Sequence, residues 1–152
     1  MITELEKQLK SIRKTQKKCQ EQLDLLLEKQ GKNLTTIKGI KTVLSAKIVA
    51  HSGGIERFAN LNSFIQYAGI APREKSSGKT KRHSKSKTGS RKLNHAFYMA
   101  AIVQLRWNSK AKEYFEKKIK EGKTKRHALK CLMKRTACIA YGMLRTGEDY
   151  RV

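Results

Sequence analysis

The run Ala96-Phe97-Tyr98-Met99-Ala100-Ala101-Ile102-Val103-Gln104-Leu105 decides the fold, because Gln104 is its only polar side chain apart from the tyrosine hydroxyl. Ser90 precedes it, and serine caps a helix by accepting a hydrogen bond from a first-turn amide. Leu93, Phe97, Ala100, Ala101 and Leu105 then fall on one broad apolar face, which puts this helix at the centre of a core. A spanning helix needs ~18 or more apolar residues, so this shorter run is a buried helix and no membrane partner is expected.

Working outward, Asn108-Ser109 opens a second helix with Tyr114, Phe115 and Ile119 on one side, ending at Gly122. Thr124 caps a third, in which Leu129, Leu132, Met133, Thr136, Ala140, Met143 and Leu144 recur at helical spacing. Upstream, Leu61 to Ala68 reads as a short helix with Leu61, Phe64, Ile65 and Tyr67/Ala68 inward; Gly69 closes it and Pro72, the lone proline, prevents its resumption. No strand pattern stands out, so the expected class is all-α.

Further back, Ile37, Ile40, Val43/Leu44 and Ile48 mark the buried side of Leu34 to Ala50. The turn Ile37-Lys38-Gly39-Ile40 between two short helices reads as a helix-hairpin-helix-like start, with Gly39 and Lys41 where main-chain amides would face a phosphate. Lys41 stands where that motif usually has its second glycine, and a plain helical hairpin is the alternative. Before it, Ile2, Leu5, Leu9, Ile12, Gln16, Cys19, Leu23 and Leu26 are spaced three and four apart, ending at Gly31-Lys32-Asn33. This is a heptad seam with polar Gln16 on it, expected to be a coiled coil that joins two chains; a single amphipathic helix lying on its own domain is the alternative. The expected organisation is a coiled-coil helix over 1–31 and a helical domain over 34–150.

Charge points to the partner. The 152 residues hold 35 Lys and Arg against 12 Asp and Glu, a formal net charge of +23, with a pI near 10.2. Such a chain repels itself unless an anion neutralises it, and nucleic acid is the natural polyanion. The charge concentrates between Pro72 and Lys92, which carries nine Lys or Arg and one acid, Glu74. Arg73, Lys75, Lys79, Lys81, Arg82, Lys85, Lys87, Arg91 and Lys92 are the expected DNA- or RNA-binding cations, around a loop at Gly78.

Other chemistries find little support. Cys19, Cys131 and Cys138 form no CxxC pair and suit a reducing compartment, so a cytoplasmic, nucleoid-associated location is expected. His51, His83, His95 and His127 lack paired ligand spacing, and Glu56 and Glu74 are the only acids between Glu28 and Glu113, so no metal site is expected here. Gly78-Lys79-Thr80 matches the end of a P-loop, but Arg73 stands where that motif needs a glycine. There remain Ser76 and Ser77 in a strongly positive setting: turn residues beside a phosphate-binding patch, or a nucleophile whose attack on a phosphodiester the surrounding cations would assist.

The ordered series Ile37-Lys38-Gly39-Ile40, Arg57-Phe58, Tyr67-Ala68-Gly69-Ile70-Ala71-Pro72-Arg73, Ser77-Gly78-Lys79 and Ser86-Lys87-Thr88-Gly89-Ser90-Arg91-Lys92-Leu93 resembles the C-terminal domain of the insertion-sequence-110 (110/116/902) family of transposases. Gly122-Lys123-Thr124-Lys125-Arg126-His127-Ala128-Leu129 and Ala140-Tyr141 fit the same pattern, so the resemblance covers roughly Leu34 to Tyr150. It implies a DNA recombinase in which an acidic, resolvase-like nuclease domain is joined through a coiled coil to a domain like this one. It also implies that Ser77, before the loop glycine, attacks DNA, and that a structured guide RNA chooses the sites. The acidic nuclease domain is absent from this sequence, so Mg²⁺ is expected there and not in this chain, and the chain alone is expected to be inactive. A non-catalytic protein that uses the same basic loop only to hold phosphates is the alternative.

Overall fold

The computed structural model describes residues 2–31, 33–71, 73–77, 80–84 and 89–150, with side chains for those outside the 73–84 segment. Among them are six helices: α1 (Ile2–Lys29), α2 (Thr42–Ser52), α3 (Leu61–Tyr67), α4 (Arg91–Trp107), α5 (Ser109–Lys120) and α6 (Lys125–Thr146). The all-α class holds for the body of the protein. The departure lies between α3 and α4, where β1 (Arg73–Ser77) and β2 (Thr80–Ser84) pair antiparallel in the stretch expected to be loop. These strands have no apolar residue to alternate with polar ones, so the period-2 signal by which a strand is recognised was missing.

Helix α4 is central, packing against α2, α5 and α6. Leu93, Ala96, Phe97, Ala100 and Ala101 are fully buried, while Tyr98 and Met99 on the other face are exposed. Helix α6, which packs on α4, also has fully buried alanines at Ala137 and Ala140, and such small side chains leave room for the bulkier ones in the same core. Phe64 of α3 stands edge-on to Phe97, with ring centroids 6.1 Å apart, and also packs against Phe58 at 5.2 Å and Tyr141 at 5.5 Å. Each large side chain buried this way contributes about 1.5–3 kcal/mol from the apolar area it removes from water.

The helix starts follow the capping chemistry. Asn60, Ser90 and Thr124 each accept a hydrogen bond through the side chain from the amide three residues on, in Ser63, Leu93 and His127. Lys41 precedes α2 without a side-chain cap.

Leu34 to Ile40 differs from the expected hairpin of two helices. Its first half is a pair of turns, with the Ile37 amide donating to Leu34 O and the Ile40 amide to Ile37 O, and only α2 follows as a helix. Gly39 has φ +92°, and a Cβ there would lie 2.7 Å from Gln104 Cγ and 3.0 Å from the Ala100 carbonyl oxygen. The turn therefore sits directly on α4. Gln104, the polar exception in the apolar run, explains itself here: its Nε2 donates to Lys38 O at 2.8 Å, and its Oε1 lies 3.0 Å from the Thr136 hydroxyl of α6. A buried amide satisfied on both sides ties the turn to two helices.

Helix α1 is attached only by its C-terminal end. Leu27 is its one buried residue, Leu23 is half-buried, and Asp24 accepts a 2.7 Å hydrogen bond from the Thr42 hydroxyl at the start of α2. The rest of the seam is bare: Ile2, Leu5, Leu9 and Ile12 are all at least half exposed, and Cys19 is exposed. Leu26, read as a seam residue, is exposed, while its neighbour Leu27 faces the domain.

Candidate nucleic-acid interface

The hairpin leaves the helical body at one point and returns to the same point. Asn94, one turn into α4, donates through Nδ2 to Ala68 O and Gly69 O at 3.0 and 3.1 Å, and the Ser90 amide donates to Tyr67 O at 2.7 Å. Gly89 has φ +114°, and a Cβ on it would come within 2.6 Å of the Tyr67 carbonyl oxygen, so only glycine lets the returning chain pass. Arg57 covers the same corner, its guanidinium 4.4 Å from the Tyr67 ring centroid and 4.8 Å from that of Phe58. Arg57-Phe58, Tyr67-Ala68-Gly69 and Gly89-Ser90 are thus a clamp at the hairpin base.

Within the hairpin the register sets Arg73 opposite Ser84, Glu74 opposite His83, Lys75 opposite Arg82, Ser76 opposite Lys81 and Ser77 opposite Thr80. Pairing the two strands brings Arg73, Lys75, Lys81 and Arg82 onto one two-stranded ribbon that ends at Ser77. Gly78, Lys79, Lys85 and Lys87 lie outside the described residues. The remaining expected site residues fall into two groups: Arg91 and Lys92 in the first turn of α4, and Gly39 and Lys41 at the start of α2.

Arg91 and Lys92 belong to a larger cluster. With His95 of the same helix, and with Lys47 and His51 of α2, they line a cleft of about 400 Å³. Lys47 and His51 are four residues apart on one helix, as are Arg91 and His95 on the other, so each pair shares a face. No acid lines this cleft, and it opens beside the point where the hairpin re-enters the body. Its lining is basic, so an anion such as a phosphate would meet only favourable charge there. Sequence reasoning did not select Lys47, and it left His51 and His95 as structural or phosphate-contacting residues; what brings Lys47 and His51 opposite Arg91 is the packing of α2 on α4.

Gly39 has a structural reason to be glycine whether or not it meets a phosphate, since its backbone packs on Gln104. Among the described residues no group of three or more His, Cys, Asp or Glu could hold a metal ion. Cys131 and Cys138 are free thiols like Cys19, and burial pushes the Cys138 thiol up, away from the reactive thiolate. No helix among the described residues is long and apolar enough to cross a membrane.

Residues 31–116, which contain the turn at Gly39, the clamp, the ribbon and α4, match the transposase IS116/IS110/IS902 family, and the chain belongs to that family. It is 26% identical over 154 aligned positions to the insertion element IS110 uncharacterized 43.6 kDa protein of Streptomyces coelicolor, covering 99% of this chain and 38% of that protein. It is 29% identical over 119 positions to the insertion element IS900 uncharacterized 42 kDa protein of Mycobacterium paratuberculosis, covering 77% of this chain and 30% of that one. Similarity to the pilin gene-inverting protein of Moraxella bovis is 31% over 121 positions, covering 77% and 37%. The chain thus spans between 30% and 38% of the length of these relatives.

Proposed function

We propose that this chain is the nucleic-acid-handling portion of a DNA transposase, with the basic ribbon and the Lys47–Arg91 cleft holding backbone phosphates and Ser77 serving as the nucleophile of strand exchange. The observation that carries this reading is the family match over residues 31–116, which spans both the ribbon and the cleft. One relative is named for inverting a pilin gene and two for insertion elements; carried to this chain, those names mean breaking and rejoining DNA. In the chemistry proposed, Ser77 Oγ attacks a phosphorus, a serine phosphodiester forms, and the bond from that phosphorus to one deoxyribose oxygen breaks. Lysine and arginine charge offsets the negative charge that builds on the phosphoryl oxygens.

In the same reading a structured guide RNA competes for or extends this basic surface, the exposed seam of α1 joins two chains, and the protein works at the nucleoid. Activation of Ser77 is assigned to an acidic nuclease portion and its Mg²⁺, because the described residues supply no metal-binding cluster.

The test is a strand-exchange assay with this chain joined to the nuclease portion of a relative. Ser77→Ala should abolish covalent protein–DNA adducts and recombinants, Ser76→Ala should keep most of both, and DNA affinity should change by no more than about twofold in either variant, because binding is spread over many cations. Affinity should fall with salt, by roughly 0.9 log units per log unit of salt for each phosphate neutralised on duplex DNA. Adducts that persist in Ser77→Ala would return the serine to a non-catalytic place in a phosphate-binding ribbon.

A further inference from the structure

Trp107 is the only tryptophan in the chain, and its side chain is left in water at 80% exposure on the last turn of α4. Phe58, Phe64, Phe97 and Tyr141 are buried in the core, and Tyr98, the other exposed aromatic side chain of α4, is only 42% exposed. Trp107 is instead one wall of an open cavity of about 570 Å³, whose other apolar walls are the half-buried Leu44 of α2 and Val103 of α4. Lys38 and Lys41, both exposed, stand at its rim on either side of Gly39, and no acid lines it. The turn that carries the two lysines is fixed by the hydrogen bond from Gln104 Nε2 to Lys38 O, one helical turn before Trp107. An aromatic face, an apolar floor and two cations are thereby held on a rigid support.

We propose that this cavity is a stacking site for one unpaired nucleobase of a single-stranded DNA or RNA segment, with the base lying on the Trp107 indole and its flanking phosphates met by Lys38 and Lys41. Every nucleobase offers a flat π-face, but only an unpaired one can leave its neighbours to lie on a protein ring, so the site selects single strands over duplex. The two lysines and a net charge of +23 repel a second copy of this chain or another basic protein from the same place, and favour a polyanion. This inference rests on the proposal that the chain binds nucleic acid. It adds a site for single strands at the far end of α4 from the ribbon, which joins that helix at its first turn.

The single tryptophan makes the site directly observable. The 152-residue chain is titrated with oligothymidylate, oligouridylate and a DNA duplex of equal length. Tryptophan emission and the anisotropy of a dye on the oligonucleotide are followed together. Single strands should quench Trp107 to saturation over the concentration range in which anisotropy rises, while duplex should raise anisotropy with little quenching. The DNA and RNA arms identify which strand the site prefers. Trp107→Ala should weaken single-strand binding by about 5- to 100-fold, with duplex affinity within about twofold of wild type, and Trp107→Phe should restore most of the loss. Because the side chain is exposed, thermal unfolding of both variants should match wild type, so a binding loss is not a folding loss. Single strands that bind without quenching, or that bind Trp107→Ala as well as wild type, would overturn this site and leave the ribbon and cleft standing. If none of the three oligonucleotides binds, the nucleic-acid reading falls and this site falls with it.

Discussion

Helices α1 and α6 are the two longest, at 28 and 22 residues, yet α6 buries nine of its residues and α1 buries one. Both have apolar residues at helical spacing, so the presence of a stripe does not separate them. Its width does. In α6 the buried positions include Ala128, Leu132, Met133, Thr136, Ala137, Ala140, Tyr141 and Leu144, an arc broad enough to be covered from several sides by α3, α4 and α5. The seam of α1 takes two positions in seven, and charged side chains crowd its edges. The domain covers only the C-terminal end of α1, at Leu27.

The largest expected effect tests the covered side of this contrast. Phe64→Ala or Leu132→Ala removes a fully or nearly fully buried side chain from the contacts of α6 and should cost about 3–5 and about 2–5 kcal/mol respectively in urea or thermal unfolding. Leu9→Lys, on the bare side, should leave the unfolding of the helical domain within about 0.5 kcal/mol of wild type. A loss from Leu9→Lys as large as that from Leu132→Ala would mean that α1 packs on its own domain, and the contrast would be broken.

A smaller loss is expected at the turn where α1 and α2 meet the core. Gly39→Ala must hold φ +92° and place a Cβ against Gln104 and the Ala100 carbonyl, a strain of about 1–3 kcal/mol. Urea denaturation would measure it. An alanine that is neutral there would show that the Lys38–Gly39 turn moves away from α4 freely.

The third outcome concerns association and not domain stability. If the α1 seam joins two chains, Leu9→Lys should convert a dimer to a monomer in sedimentation at tens of micromolar. Leu23→Lys is a less clean version, because Leu23 is half-buried where α1 meets the domain. Cys19 sharpens the result: it lies on the seam and is exposed, so mild oxidation should link two chains through it if the helices run parallel and in register. Sedimentation of the wild type as a monomer at that concentration would count against the seam as an interface.

The smallest effect belongs to the surface charges between α5 and α6. Lys118 and then Lys123 hydrogen-bond the Glu121 carboxylate, at 2.8 and 3.1 Å, and hold it below the usual carboxylate range, while the Glu121 hydrogen bond raises Lys118. A lowered carboxylate stabilises the fold above its ordinary value and loses that contribution as pH falls through its folded one. The raised lysine contributes below its ordinary value and loses this as pH rises through the folded one. Both groups are solvent-screened, so Glu121→Gln should leave the melting temperature at neutral pH unchanged within error. A clear drop would show that this corner supports the α5–α6 packing more than an exposed ion pair can.

The helices from α3 onward were legible in the sequence because their signals are local. A cap three residues before its amide partner and an apolar period of 3.6 are both set by the geometry of one helix, and Ser90 and Thr124 behave as that geometry requires. The hairpin was not legible, because its strands are made by main-chain pairing in a stretch with no buried face to announce them. Part of the basic cleft was legible in the same way: Arg91 and Lys92 stood out in a charge cluster, whereas Lys47 lies about forty residues away in sequence and was passed over, and His51 was read only as a structural or phosphate-contacting residue.

The sequence by itself therefore determined the family, the all-α class, the strong positive charge and the apolar seam of α1, since composition, spacing and motif order are properties of the chain. Only the tertiary structure decided that Gly39 is needed to let a turn lie on α4, that Gln104 is buried in order to hold that turn, and that Leu27, not Leu26, docks α1. It also decided that Trp107 shares a cavity with two lysines some seventy residues earlier. The physical reason is the same in each case. These roles depend on contacts between elements distant in sequence, and a residue's own neighbours carry no record of what the packed helices bring against it.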